Sequence, residues 1–83
     1  MKSWFLYVVR CADGTFYTGV TTDVDRRLHE HNATRRGAKY TRTRRPVELI
    51  YRTDYKDRTT AQKAERYFKS LTRQEKEEII KAN

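Results

Sequence analysis

Residues 2–20 read KSWFLYVVRC-ADGT-FYTGV, which is two largely apolar runs separated by a short polar segment. The first run, Lys2 to Cys11, is nearly continuous in apolar and aromatic side chains, a pattern typical of a central strand covered on both faces. Ala12 to Thr15 contains an Asp-Gly pair that favours a tight turn, and Phe16 to Val20 then returns as a second strand. The stretch therefore predicts a β-hairpin.

The length of the hairpin loop decides which sides of the sheet two tyrosines face. A two-residue turn at Asp13-Gly14 would put Tyr7 and Tyr17 on opposite faces, because side chains alternate along a strand. A three-residue loop with Gly14 in the left-handed region would put both phenols on one face. The sequence leaves both registers open. Gly19, inside the second strand, marks a close approach of the backbone.

Helical signals follow the hairpin. Thr22 or Asp23 is predicted to cap a helix that runs to about Asn32, with one apolar stripe turned inward. Residues 33–45 are polar and basic and contain a glycine, so we expect a loop with a short helical turn at 38–41.

The second half of the chain predicts one more strand and two more helices. The run Val47 to Tyr51 alternates as a third strand, with Pro46 at its first position. Capping boxes predict where the helices begin; the pairs are Thr59 with Gln62 and Thr72 with Glu75. The first of these helices is expected over roughly 60–70. The element order is therefore β-β-α-(short α)-β-α-α.

Length and charge limit the function classes. The 83 residues are expected to form a single domain over 1–83 with one core. The net charge of +8 favours a polyanionic partner such as nucleic acid. The excess lies in residues 26–52, which hold nine basic and two acidic side chains. The side chains predicted to contact nucleic acid are Arg26, Arg35, Arg36, Lys39, Arg42, Arg44 and Arg45.

The next two observations concern a membrane-spanning or signal segment and a disulfide bond, neither of which the sequence predicts. The longest apolar run, Trp4 to Val9, is far too short to cross a membrane and lacks a signal-peptide cleavage pattern, so we expect a soluble cytoplasmic protein with no membrane partner. Cys11 is the single cysteine; it has no partner for an intrachain disulfide and is expected to be a strand residue.

Spaced polar residues match the needs of phosphodiester cleavage, which requires a deprotonated water and neutralised phosphoryl oxygens. The planar fork of Arg27 suits a phosphate, although the same position also allows a surface ion pair with Asp23. His31 can take a proton, hold a tyrosine or lie on the surface at a helix end. Glu65 falls on the apolar side of its helix, where a carboxylate needs either an arginine partner or a divalent cation.

Tyr7 and Tyr17 can be interpreted either as catalytic residues or as aromatic residues of the core. A tyrosine with a pKa near about 10 is a weak base, so it must be activated by positive charge or a metal-bound water to act in catalysis. Arg27 and the basic segment can supply that charge. In a small protein with six tyrosines, both are by default expected to be core aromatic residues.

At these residues the chain resembles the GIY-YIG nuclease superfamily, specifically its small stand-alone YhbQ-like branch, over essentially its whole length. Phe5-Leu6-Tyr7 stands at the first signature and Tyr17-Thr18-Gly19 at the second, with Phe5 in place of a glycine and Thr18 in place of an isoleucine. The matching single positions are Arg27, His31 and Glu65.

The resemblance implies a fold and a set of roles. The fold would be α+β, with a small three-stranded antiparallel sheet flanked by helices. Tyr17 would be the general base or the group that orients water, and Tyr7 its supporting phenol. Arg27 would bind the phosphate, His31 would belong to the catalytic group, and Glu65 would bind Mg²⁺ or Mn²⁺.

Three hypotheses of function follow. The first is a metal-dependent endonuclease acting on DNA, with a role in repair or recombination and with RNA left open. The second is a nucleic-acid-binding module that cleaves poorly or not at all. The third is a basic adaptor that docks an acidic protein through its last helix. Since members of the superfamily gain specificity from added domains or partner subunits, a protein partner is also implied.

Overall fold

A three-stranded antiparallel sheet forms the centre of the molecule in a computed structural model, which describes residues 3–82. Its strands are β1 (Trp4–Arg10), β2 (Phe16–Thr21) and β3 (Glu48–Tyr55), in the order β2-β1-β3. The apolar strand β1 is central as predicted, and Val8 and Val9 are fully buried. The predicted start of this strand at Lys2 lies outside the described residues.

Four helices complete the chain: α1 (Val24–Ala33), α2 (Lys39–Arg42), α3 (Arg58–Ser70) and α4 (Arg73–Lys81). The predicted element order and the α+β class with a sheet flanked by helices are confirmed. Within residues 3–82, the longest helix has 13 residues, and no helix is long and apolar enough to span a bilayer.

The hairpin carries the three-residue loop. Tyr7 pairs with Gly19 and Val9 pairs with Tyr17, and the N–H of Cys11 donates to the Thr15 carbonyl at 2.7 Å. Gly14 closes the loop with φ of 86°, a left-handed conformation that glycine adopts without a steric penalty. Tyr7 and Tyr17 therefore lie on one face of the sheet.

The two faces of the sheet are covered by different helices. On the face of Tyr7 and Val9, the core continues into Val24 of α1 and Val47 before β3. On the opposite face, Phe68 of α3 stacks on Tyr51, the β3 partner of Val8. Apolar side chains cover both faces of β1, which explains why the sequence of this strand is nearly continuously hydrophobic.

The helix N-termini confirm two caps and correct a third. The side chain of Asp23 accepts the N–H of Arg26 at the start of α1, and Thr72 with Glu75 forms the predicted capping box of α4. Thr59 does not cap α3: Asp57 does, by accepting the N–H of Thr60 at 2.8 Å. Asp57 lies two positions before Thr59 and also has a side-chain oxygen that can accept a backbone N–H. Helix α3 therefore begins at Arg58, earlier than the predicted capping box indicated.

Two further boundaries differ from the prediction. Strand β3 runs four residues beyond Tyr51 and begins after Pro46 rather than on it, because the Trp4 and Phe5 backbone pairs with Tyr55 and Asp54. Cys11 lies just beyond β1 rather than within it, although it is buried as expected of a core residue.

Candidate active site

The hairpin and α1 bring three of the predicted catalytic residues into contact. The hydroxyl of Tyr7 lies 2.7 Å from Nε2 of His31. The Tyr17 ring meets the His31 ring edge-on, with 5.2 Å between centroids, and stacks on Tyr40 at 6.0 Å. Within residues 3–82, the hydroxyl of Tyr17 makes no hydrogen bond, so it is available to an incoming group.

Gly19 makes room for the Tyr7 phenol. A Cβ built on Gly19 would lie 2.5 Å from the Tyr7 hydroxyl oxygen and 2.7 Å from Cζ. The ring of Tyr7 therefore lies directly over the backbone of β2, an edge strand, and reaches across it. The close approach expected at this glycine is present, and its partner is the Tyr7 phenol.

His31 is a fully buried histidine rather than a surface residue at a helix end. Its Nδ1 accepts the backbone N–H of Ala38 at 3.3 Å and lies 2.9 Å from the Thr41 hydroxyl. In the tautomer protonated at Nε2, Nδ1 accepts the Ala38 N–H, while the Thr41 hydroxyl donates to the Ala38 carbonyl at 2.9 Å. In that tautomer Nε2–H donates to the Tyr7 hydroxyl, and His31 holds the tyrosine instead of taking its proton.

Tyr7 is consequently a neutral phenol surrounded by donors. Burial raises its pKa to about 12, the charges of Tyr17 and Glu65 also raise it, and a hydrogen bond from Arg27 acts in the opposite direction. With Nε2–H of His31 donating to its oxygen, the Tyr7 hydroxyl hydrogen can point toward another group. At neutral pH, Tyr7 is therefore suited to donating a hydrogen bond rather than abstracting a proton.

Arg27 links the phenols to the basic loop. Its Nη1 donates to the Glu30 carboxylate at 2.9 Å and to the Arg36 carbonyl at 2.7 Å. The alternative ion pair with Asp23 is wrong, because that carboxylate caps α1 and Glu30 is the partner of Arg27. Burial alone lowers the pKa of Arg27, but hydrogen bonds to Glu30 and Tyr7 raise it above its ordinary value. The guanidinium is fixed and permanently charged.

Glu65 approaches from the other side of the sheet. It lies on α3, and its Oε2 is 3.1 Å from Nζ of Lys69, so its partner is a lysine rather than an arginine. The carboxylate opens into a cleft of about 320 Å³ that Gln62, Arg66 and Lys69 complete. Its charge acts on Tyr7, but among residues 3–82 no hydrogen bond or ion pair joins it to the tyrosines or to Arg27.

The donor set at Glu65 fits a Mg²⁺ or Mn²⁺ ion that retains most of its waters. The described residues hold no cluster of three or more histidine, cysteine or acidic side chains that could enclose an ion. Mg²⁺ does not require such a cluster, since it is commonly bound by one or two carboxylates plus water and substrate phosphates. The Glu65 side chain is 21% exposed, which leaves it accessible to a hydrated ion.

The basic segment separates into two groups. The Arg45 guanidinium donates to three carbonyls at the end of α1, those of Glu30, His31 and Thr34, and Arg44 donates to Asp13 while covering the Tyr40 ring. These two arginines bind the protein itself. Five side chains are instead exposed to solvent: Arg26, Arg35, Arg36, Lys39 and Arg42.

Sequence reasoning did not single out Tyr40 or Thr41 as site residues. Thr41 is fully buried against His31, and Tyr40 supports the Tyr17 ring. The helical turn predicted at 38–41 could have identified them, because it forms as α2 and carries both residues. Gly37, just before it, packs so tightly on α1 that a Cβ would lie 2.6 Å from the Glu30 carbonyl oxygen.

The buried His31 predicts a specific loss of stability in acid. Burial, with the nearby Arg27 charge, lowers its folded pKa from 6.5 to about 4. A depressed folded pKa means that the unfolded chain binds the proton first, so this stabilisation is complete above pH 6.5 and is lost as the pH falls from 6.5 to 4. The whole contribution is about 3 kcal/mol.

Urea unfolding at a series of pH values measures this contribution. The fall in the free energy of unfolding between pH 6.5 and 4 should be markedly smaller in His31→Gln than in the wild type. His29→Gln, which alters an exposed histidine of the same helix, should keep the wild-type slope. Equal slopes in all three proteins would contradict the assignment.

Known proteins resemble this chain in sequence over nearly its whole length. A family model described as the GIY-YIG catalytic domain matches residues 3–78. A UPF0213 protein of Desulfotalea psychrophila is 51% identical over 98% of this chain and 74% of its own length. One from Staphylococcus aureus is 47% identical over 98% of both chains.

Solved structures show the same likeness. The solution NMR structure of protein EF2693 from E. faecalis is 50% identical, with a TM-score of 0.68 over 99% of this chain and 86% of that one. The NMR structure of the UPF0213 protein BH0048 from Bacillus halodurans is 40% identical, with a TM-score of 0.64 over 98% and 85%. The chain belongs to the GIY-YIG nuclease superfamily, alongside the UPF0213 proteins.

Proposed function

We propose that this protein is a divalent-metal-dependent endonuclease that hydrolyses phosphodiester bonds in DNA. The observation that carries the proposal is the Arg27 guanidinium, which is fixed by Glu30 and the Arg36 carbonyl beside the hydroxyl of Tyr7. A rigid cation next to an aligned phenol is the arrangement that a phosphoryl group needs as negative charge develops on its oxygens.

Each proposed catalytic residue has a distinct role. Arg27 binds the phosphoryl oxygens, and Tyr7, held by His31, donates its hydroxyl hydrogen to the same group or to the attacking water. Tyr17, whose hydroxyl is uncommitted, orients that water or accepts its proton. Glu65 would hold Mg²⁺ or Mn²⁺, which would supply positive charge to stabilise the phosphoryl oxygens.

The exposed basic residues supply the DNA contacts. Arg35, Arg36, Lys39 and Arg42 follow α1 in sequence, and the Arg36 carbonyl is bonded directly to Arg27. Phosphate contacts by lysine and arginine provide affinity and register without reading sequence. We assign Arg44 and Arg45 to holding the loop in place. This narrows the predicted DNA-contacting set to five residues, including Arg26.

The cellular role is proposed from the same chemistry. Binding through lysine and arginine contacts to the DNA backbone suits DNA recognised by its shape, as in repair or recombination. We place the protein in the cytoplasm and propose that a protein partner contributes specificity.

A second function is favoured by one contact. Lys69 already neutralises Glu65, as expected if the carboxylate serves the fold rather than a metal. In that case the protein is a nucleic-acid-binding module on a nuclease scaffold, which binds DNA whether or not Glu65 is intact.

Cleavage assays distinguish the two functions. Purified protein is incubated with supercoiled plasmid, branched DNA and matching RNA, each with Mg²⁺, Mn²⁺ or EDTA. The endonuclease proposal expects metal-dependent cleavage of DNA that Glu65→Gln abolishes while salt-sensitive binding remains. Binding without cleavage in every condition supports the module. Cleavage that persists in Glu65→Gln would indicate a contaminating nuclease and overturn the assignment.

A further inference from the structure

The cleft on α3 places two cations beside one carboxylate. Lys69 lies one helical turn after Glu65 and pairs with it at 3.1 Å, while Arg66 borders the same cleft. Arg66 makes no ion pair with any side chain of residues 3–82. The cleft therefore carries a net positive charge around the one group proposed to bind a metal.

The Lys69 ammonium and a divalent ion would compete for the same oxygen atoms. Lys69 is 53% exposed on a flexible stem, so it can leave Glu65 without disturbing the helix. The pair itself is weak, as is usual for exposed i, i+4 ion pairs on a helix. A hydrated divalent ion carries twice the charge of the ammonium and is able to displace it.

Once displaced, the ammonium needs another anion. In a complex with DNA, the nearest candidates are phosphate oxygens around the bound ion, which the cleft formed by Gln62, Arg66 and Lys69 can accommodate. A lysine is suited to this exchange because its ammonium is a compact charge with rotatable donors.

We propose that Lys69 is an exchangeable counterion of Glu65, which pairs with the carboxylate in the free protein and moves to a DNA phosphate when a divalent metal binds. The inference rests on the proposed metal role of Glu65. Metal then strengthens DNA binding, and DNA strengthens metal binding by the same factor, because coupling between two ligands is reciprocal.

Calorimetric titration with Mn²⁺ in the absence of DNA tests the first half of the exchange. Lys69→Met is expected to bind Mn²⁺ about twofold more tightly than the wild type, because no ammonium has to be displaced. Lys63→Met, an exposed lysine elsewhere on α3, is the matched control and should retain wild-type affinity. Glu65→Gln should not bind Mn²⁺ at this site.

Fluorescence polarisation with a non-hydrolysable phosphorothioate duplex, at fixed ionic strength, tests the second half. Mn²⁺ should tighten DNA binding by the wild type and by Lys63→Met, and this gain should be smaller in Lys69→Met, which keeps the metal but has no ammonium to pass to a phosphate. If Mn²⁺ binds through Glu65 but Lys69→Met matches the wild type in both titrations, the counterion role is overturned and the endonuclease proposal stands. If the wild type and Lys69→Met both fail to bind Mn²⁺, the metal role of Glu65 is overturned together with the exchange.

Discussion

Arg27→Ala is expected to lower the rate of DNA cleavage by roughly 10²–10³-fold, the usual effect of removing one preorganised donor from a transition state. The guanidinium is held by Glu30 and by the Arg36 carbonyl, so its position is set before substrate arrives. Single-turnover cleavage of a labelled duplex at saturating protein measures this effect separately from binding.

Two further variants test whether the loss of cleavage is specific to the guanidinium of Arg27. Arg26→Ala alters the neighbouring arginine, whose side chain is 60% exposed, and should weaken binding without a comparable loss of cleavage rate. Arg27→Lys retains the charge but not the planar fork, so we expect it to recover only part of the rate. A fully active Arg27→Ala, with unfolding temperatures matched, would remove Arg27 from the catalytic group.

Gly19→Ala is expected to reduce cleavage by about 100-fold, because displacement of a catalytic group by about 1 Å can have that effect. The added methyl group would lie 2.5 Å from the Tyr7 hydroxyl oxygen, a separation that real Cβ contacts do not allow. Either the phenol or the edge strand must move, and the crowding should also lower the free energy of unfolding by about 1–3 kcal/mol. Chemical denaturation and the cleavage assay measure the two effects.

Gly14→Ala is the matched control for this variant. Nothing lies within 4 Å of a Cβ at Gly14, but its φ of +86° strains any other residue. Such strain costs about 1–3 kcal/mol. Both variants should therefore lose stability, while only Gly19→Ala should lose cleavage beyond what its folded fraction explains. Equal activity of the two would show that the position of the Tyr7 phenol is unimportant.

The hairpin and its central strand could be predicted because their signals are local. A continuous apolar run from Trp4 to Val9 and an Asp-Gly turn are sufficient for two strands. Alternation along the strands did not determine the register, because the same sequence is compatible with a loop of two or of three residues. The conformation of Gly14 resolved it.

The site was less predictable where contacts between residues far apart in the sequence determine burial and hydrogen bonding. His31 and Arg45 are polar residues in a basic stretch, and composition alone treats them as surface. Their burial and bonding depend on α1 meeting the loop that follows it, where Arg45 binds carbonyls at the helix end. The hydrogen bonds of Arg45 to the carbonyls at the end of α1 are a property of the assembled loop.

Strand β3 shows the same limit. Arg52, Thr53 and Asp54 give no strong strand signal, yet they form ladder pairs with β1. The neighbouring strand provides hydrogen-bond partners that local propensity does not contain, and tertiary context then overrides it.

The three-residue loop between β1 and β2 also constrains how this protein can change. One inserted or deleted residue that shifted the pairing by one position would turn Tyr17 and Gly19 toward α3 and separate them from Tyr7. A change of two residues would preserve the arrangement of side chains. Natural variation at this turn, and any peptide grafted there by an engineer, should therefore be tolerated in even steps.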